Sequence, residues 1–149
     1  MKRILLYCLI LALTVFLPVK GEDIEDLEPV QAFWIGKQNE KLVLQTDTGD
    51  VGVGDSVQTA LQNMKESSAE MVYPDTAQYL FTSKETKSIL GQFAPLLRST
   101  VKVCIWEGGD VKEAVKYAQA HELGCKLRNW KPETELPQIP VINSQKSEE

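Results

Sequence analysis

The residues that can do chemistry are few. The sequence of 149 residues holds one histidine, His121, and three cysteines, Cys8, Cys104 and Cys125. A nucleophilic site needs a thiol or hydroxyl beside an imidazole, with a third group to orient the ring. The sequence sets no such neighbour beside His121. It falls late in a helical stretch, three residues before Gly124, where a partly charged imidazole suits the negative end of the helix dipole. Cys104, Cys125 and His121 together make three metal ligands at unfamiliar spacing, and a structural zinc site takes four. No catalytic, metal-binding or cofactor-binding residue is assigned, and no cofactor is expected. Two readings of Cys104 and Cys125 stay open. They pair as a disulfide across a loop of about 20 residues in an oxidising compartment, or they remain two thiols, one beside a sheet and one in a tail.

Gly49, Gly52 and Gly54 precede a helix start, as phosphate-binding glycines do. Their spacing fits neither G-x-G-x-x-G nor G-x-x-x-x-G-K-[ST], and no lysine accompanies them. Asp50 and Asp55 would repel a phosphate. Asp47, Asp50 and Asp55 do not follow the ligand spacing of a calcium loop. The stretch reads as a flexible connector. Trp34 and Trp106 lie in or at the end of strands and read as core. Trp130, between Arg128 and Lys131, is either a fastening for the tail or an aromatic contact for a partner.

The elements that must position these residues follow from the apolar period. Val30 to Ile35 and Lys41 to Thr46 read as two strands joined by turn residues Gly36 to Glu40. Asp47 to Asp55 reads as a loop. Val57, Ala60, Leu61 and Met64 form the apolar stripe of a helix capped by Asp55 or Ser56. The chain then centres on a strand–helix–strand unit from Thr76 to Trp106. Ala77 to Phe81 is the first strand, and Val101 to Ile105, alternating in period two, is the second. Between them Ile89, Leu90, Phe93, Leu96 and Leu97 recur at helical spacing after a cap at Thr82-Ser83. Pro95 falls within that helix and predicts a kink, or two short helices in its place. A crossover of this kind makes the two strands parallel. Asp110 opens a last helix through Val111, Ala114, Val115 and Ala118, and Gly124 closes it. The fold class is therefore α/β, more strictly α+β. One mixed sheet has the order ββαβαβα, with helices packed on it. The domain spans 22–124. Residues 125–149 form a polar tail in which Leu136 to Ile142 offers an edge strand and Ser144 onward is disordered.

The ends and totals bound the setting. Lys2 and Arg3 precede Ile4 to Leu17, an uncharged run of 14 residues, against the roughly 20 needed to span a bilayer. Residues 1–21 read as a signal peptide cleaved after Gly21, or as a retained N-terminal anchor. The chain is therefore expected to be exported, either secreted or associated with a membrane. Cys8 belongs to that segment. The whole chain has 16 basic and 21 acidic residues, a net charge of −5. Without residues 1–21 the basic count is 13 and the net charge −8. Such a surface repels phosphate backbones, so no nucleic acid is expected as partner.

Ile24-Glu25-Asp26-Leu27, Val30, Ala32 and Ile35-Gly36, then Ala60-Leu61 with Ser67-Ser68, form one pattern. Phe81, Leu90, Phe93 and Leu97-Arg98 continue it, as do Val101, Val103, Ile105, Gly108 and Glu113-Ala114. Over Ile24 to Val115 this pattern resembles the N-terminal domain of the Ger(x)C-type spore germination proteins, the lipoprotein C subunits of nutrient germinant receptors. The resemblance implies a non-enzymatic module that assembles with other receptor subunits at the outer membrane face. Two departures stand out. Gly21-Glu22-Asp23 takes the place of the family's lipid-modified cysteine, and the family continues for two further domains. The chain is thus expected to be a stand-alone short relative. The alternative class is a small exported enzyme or thiol-redox protein using His121 or the pair Cys104 and Cys125.

Overall fold

The computed structural model describes residues 29–140. Residues 1–21, read from sequence as a signal or anchor, Ile24 to Leu27 of the family-like pattern, Val141, Ile142 and the stretch from Ser144 onward lie outside them. The fold is α+β, built on one mixed six-stranded sheet of order β3-β2-β1-β4-β5-β6.

Strands β1 (Ala32–Gln38) and β2 (Lys41–Thr46) form the expected antiparallel hairpin. The turn is tighter than the sequence suggests. Only Asn39 and Glu40 leave the strands, both at positive φ (49° and 67°), as in a two-residue turn whose twist matches its strands. Gly36 stays inside β1 because the Trp34 ring lies over it. A Cβ at Gly36 would fall 2.3 Å from a ring carbon.

The stretch read as a loop and flexible connector, Asp47 to Asp55, contains a third strand, β3 (Val51–Gly54), antiparallel to β2. Its glycines are there for packing. Helix α1 (Val57–Ser67) lies so close that a Cβ on Gly52 would fall 2.0 Å from the Ala60 carbonyl oxygen, and one on Gly54 2.5 Å from the Ala60 nitrogen. Ser56 caps α1 by accepting from the Thr59 N–H at 3.2 Å. The helix buries Val57, Ala60, Leu61 and Met64, the four stripe residues.

Strands β4 (Tyr79–Thr82) and β5 (Lys102–Ile105) are parallel, in the register Phe81 opposite Cys104, and β4 is also parallel to β1. The link between β4 and β5 corrects the sequence reading. It is a run of 3-10 turns over Lys87–Phe93, and Thr82-Ser83 does not cap it. Pro95 stands two residues past its end, lacks an N–H and would clash with the Gly91 carbonyl in an α-helix. The run packs as the missing helix would, with Leu90, Phe93 and Leu97 all buried.

Helix α2 (Val111–Ala120) is capped by the Asp110 carboxylate, which accepts from the Lys112 N–H at 2.9 Å. It ends earlier than Gly124. Glu122, at φ 50°, donates to Gln119 O, and Leu123 donates to Ala118 O. These two bonds are those of a Schellman motif. Past Gly124, the segment read as a polar tail is bound into the fold up to Pro140. Strand β6 (Cys125–Lys126) pairs antiparallel with β5. Of the Leu136 to Ile142 edge strand, the described residues up to Pro140 form one parallel bridge, where Ile105 donates to Pro137 O and accepts from the Ile139 N–H, each at 2.8 Å.

Strand alternation divides the core in two. One face carries Phe33, Ile35, Leu44, Leu80 and Val103 under α1 and the 3-10 run. The other carries Ala32, Phe81, Cys104 and Trp106 under Val111, Ala114, Val115 and Ala118 of α2.

Candidate functional site

In an open sheet with parallel strands, ligands usually enter a crevice at the carboxyl ends of those strands. Here that end is filled with protein. The Trp34 indole N–H donates to Trp106 O at 3.1 Å, and the two rings meet edge to face at 6.5 Å. Phe81 packs on Trp106 at 5.8 Å. Beside them the hydroxyls of Thr82, Ser83 and Thr86 are buried. Thr86 Oγ1 lies 2.9 Å from both Thr82 Oγ1 and Ser83 Oγ, and 3.0 Å from Ile35 O. Their partners are one another and backbone carbonyls. The cluster therefore fastens the start of the 3-10 run to β1 and β4.

His121 is exposed at the end of α2. Its Nδ1 lies 2.9 Å from Tyr117 O, and its ring stacks on Tyr117 at 4.1 Å. Both contacts are to its own helix, as a C-terminal cap makes them.

The disulfide reading is corrected. Cys104 and Cys125 are free thiols. Val103 faces Cys125 across the β5–β6 pair, so the next residue, Cys104, points through the sheet. Cys104 sits in the α2-side core, and Cys125 packs against the opposite one. Burial pushes the Cys104 thiol up to about 12; nearby Lys102 works against that shift and Cys125 slightly with it. A thiol held so far above neutral supplies no thiolate for exchange chemistry. Two results are expected. A charged disulfide reagent modifies one cysteine of the native described region, Cys125, and reaches Cys104 only on unfolding. Because the folded pKa is raised, the unfolded chain loses this proton first. Stability contributed by the neutral thiol is therefore full below about 9 and is lost as pH rises toward about 12. Alkaline unfolding of Cys104→Ala, compared with wild type, checks the second. Equal alkaline sensitivity would contradict it.

Trp130 fastens the tail. It is half-buried against the α1-side core, above Gly91, and its indole N–H is buried without a partner among the described residues. Of the two sequence readings of Trp130, this placement supports the fastening of the tail. The aspartates of the glycine-rich stretch are also engaged. Asp47 accepts from the N–H groups of Gln31 and Ala32, at 2.9 and 3.0 Å. Asp50 accepts from Thr48 at 2.9 Å and from Ser68 at 2.7 Å. These bonds tie β1 and the end of α1 to the β2–β3 turn. No group of three or more metal-ligating side chains occurs among the described residues. No described helix is long and apolar enough to cross a membrane.

The sequence reading misses the open edge of the sheet at β3. Val51 and Val53 are 47% and 41% exposed, and their side chains project from the face away from α1. Val53 O accepts from the Asn63 side chain at 2.7 Å, so the backbone groups of Val51 and Val53 turn away from β2. Among the described residues, the Val51 and Val53 N–H groups and Val51 O have no partner along that edge. The signal lies in the sequence as the alternation Val-Gly-Val-Gly, which the glycine count obscures.

Comparison of the chain with known proteins finds no matching family model, no matching curated protein and no matching solved structure.

Proposed function

We propose that this chain is a non-enzymatic, exported binding module of the spore germination receptor type. It engages other receptor subunits at the outer face of a membrane. The observation that carries the reading is the outer edge of β3, a short strand paired only with β2 among the described residues, with two exposed valines and backbone donors facing outward. An extended segment of a partner adds to such an edge through main-chain hydrogen bonds, and its side chains supply the specificity. The family-like pattern from Ile24 to Val115 supports a receptor subunit as that partner. The burial of Cys104 and the capping role of His121 favour binding over thiol or imidazole chemistry.

Lysine on an edge strand blocks pairing without entering the core. Val51→Lys with Val53→Lys is therefore expected to abolish nutrient-triggered germination as fully as deletion of the gene, with an unchanged Tm. Normal germination of the deletion strain in every nutrient would overturn the proposal.

A further inference from the structure

A second feature lies at the opposite end of the parallel strands. Between the segments entering β4 and β5 is a concavity of about 310 Å³, lined by Thr76, Gln78, Tyr79, Arg98, Thr100 and Lys102 with two apolar neighbours. Its lining holds two cations and no carboxylate. The neighbouring concavities differ. Lys65 shares one with Glu70 and Asp75, and Lys112 and Lys116 share another with Asp47. On a chain of net charge −5, a wholly cationic concavity concentrates anions at one place.

The fold holds its parts in position. Gly124 lies against the Lys102 stem so closely that a Cβ there would fall 2.5 Å from Lys102 Cβ. The Lys102 ammonium stands 5.8 Å from the centre of the Tyr79 ring. The turn carrying Arg98 is closed by the Val101 N–H donating to Arg98 O at 3.1 Å. It is also tied to the tail, where Arg128 N donates to Ser99 O at 3.1 Å. Lys102 N donates to Gln78 O at 2.9 Å, which joins the two walls. Neither cation has an ion-pair partner among the described residues. Burial raises the Tyr79 phenol above its usual range, with a smaller push from Cys104, so it stays a neutral hydrogen-bond donor at physiological pH.

We infer that this concavity is a binding site for an oxyanion, a carboxylate or phosphate group held between Arg98 and Lys102. Arginine offers a planar fork that matches two oxygens at once, and lysine a point charge beside it. The space exceeds that of the oxyanion alone and stands at the lower end of small-molecule sites. A small organic body attached to the charged group therefore fits. The site lies at the far end of β4 and β5 from their filled carboxyl ends and shares no residue with the β3 edge, so either assignment can fail without the other.

The test is an amide-resolved NMR titration of the full-length chain with sodium acetate, inorganic phosphate and sodium chloride at matched ionic strength. The expected result is a saturating shift at the amides of Gln78, Thr100, Val101 and Lys102 with at least one oxyanion and none with chloride. A stronger response to acetate assigns a carboxylate source, and a stronger response to phosphate a phosphoryl source. Arg98→Gln and Lys102→Gln should each weaken binding by about tenfold or more, with unchanged Tm because Arg98 is exposed and Lys102 half-buried. A response that does not saturate, that chloride reproduces, or that survives Arg98→Gln overturns the site.

Discussion

Phe93→Ala is expected to lower the unfolding free energy by roughly 3–5 kcal/mol, the range for deleting a buried phenyl ring. Phe93 is 2% exposed and belongs to the core beneath α1 and the 3-10 run. The run has little regular backbone structure of its own. Its seven residues make 3-10 turns, and no side chain caps its start. Packing must therefore hold what the backbone does not, and loss of the ring leaves a cavity that Pro95 and the fixed Thr86 end keep from closing. Leu90→Ala should cost roughly 2–5 kcal/mol for the same reason, since Leu90 is fully buried. Urea unfolding reads both. An unchanged midpoint for either would mean that the run does not face the sheet as described.

Gly52→Ala is expected to destabilise by about 3 kcal/mol or more, at the upper end of what overpacking costs. The added methyl would meet Ala60 O at 2.0 Å and Met64 Cβ at 2.7 Å. The nearest of these is helix backbone, which cannot swing aside as a side-chain tip can. Either α1 lifts from the sheet or β3 leaves β2. The same change at Gly49 meets nothing within 4 Å and costs only the strain of φ 103°. The contrast between the two variants in one unfolding experiment separates packing from backbone conformation. Equal effects would contradict the close approach of α1 to β3.

Much of the fold is legible in the residue pattern. Hydrophobic alternation in Val101 to Ile105 places β5, and the stripe Val57, Ala60, Leu61 and Met64 places α1 with its buried face. The parallel β4–β5 pair follows from the crossover. Two of the departures share one cause, local composition that stands for a loop where tertiary packing makes something else, and a third runs the other way. Three glycines between Asp47 and Asp55 suggest a connector, yet two of them are the surface on which α1 rests. Leu90 and Phe93 have helical spacing, but Gly91 and Pro95 leave only 3-10 turns to carry it. Prolines in the last stretch suggest a tail, while Leu127, Leu136 and Ile139 are buried and close the β5 edge. Strand alternation also decides the cysteines, but only once the partner of β6 is known. A residue spacing cannot show that Val103, and not Cys104, stands opposite Cys125. The β3 edge and the cationic concavity were hidden for the same reason, because each joins residues that are ordinary in sequence and meaningful only in place.

The most direct measurement places a photo-activated cross-linking residue at Val53 of the full-length protein, expressed in its own host. After irradiation, the membrane fraction is analysed for covalent adducts. The proposed function predicts an adduct with a germinant receptor subunit that disappears when the cross-linker stands instead at Gln62, an exposed position on α1. A protein found free in the medium, with no adduct at Val53 or with equal adducts at both positions, would contradict it.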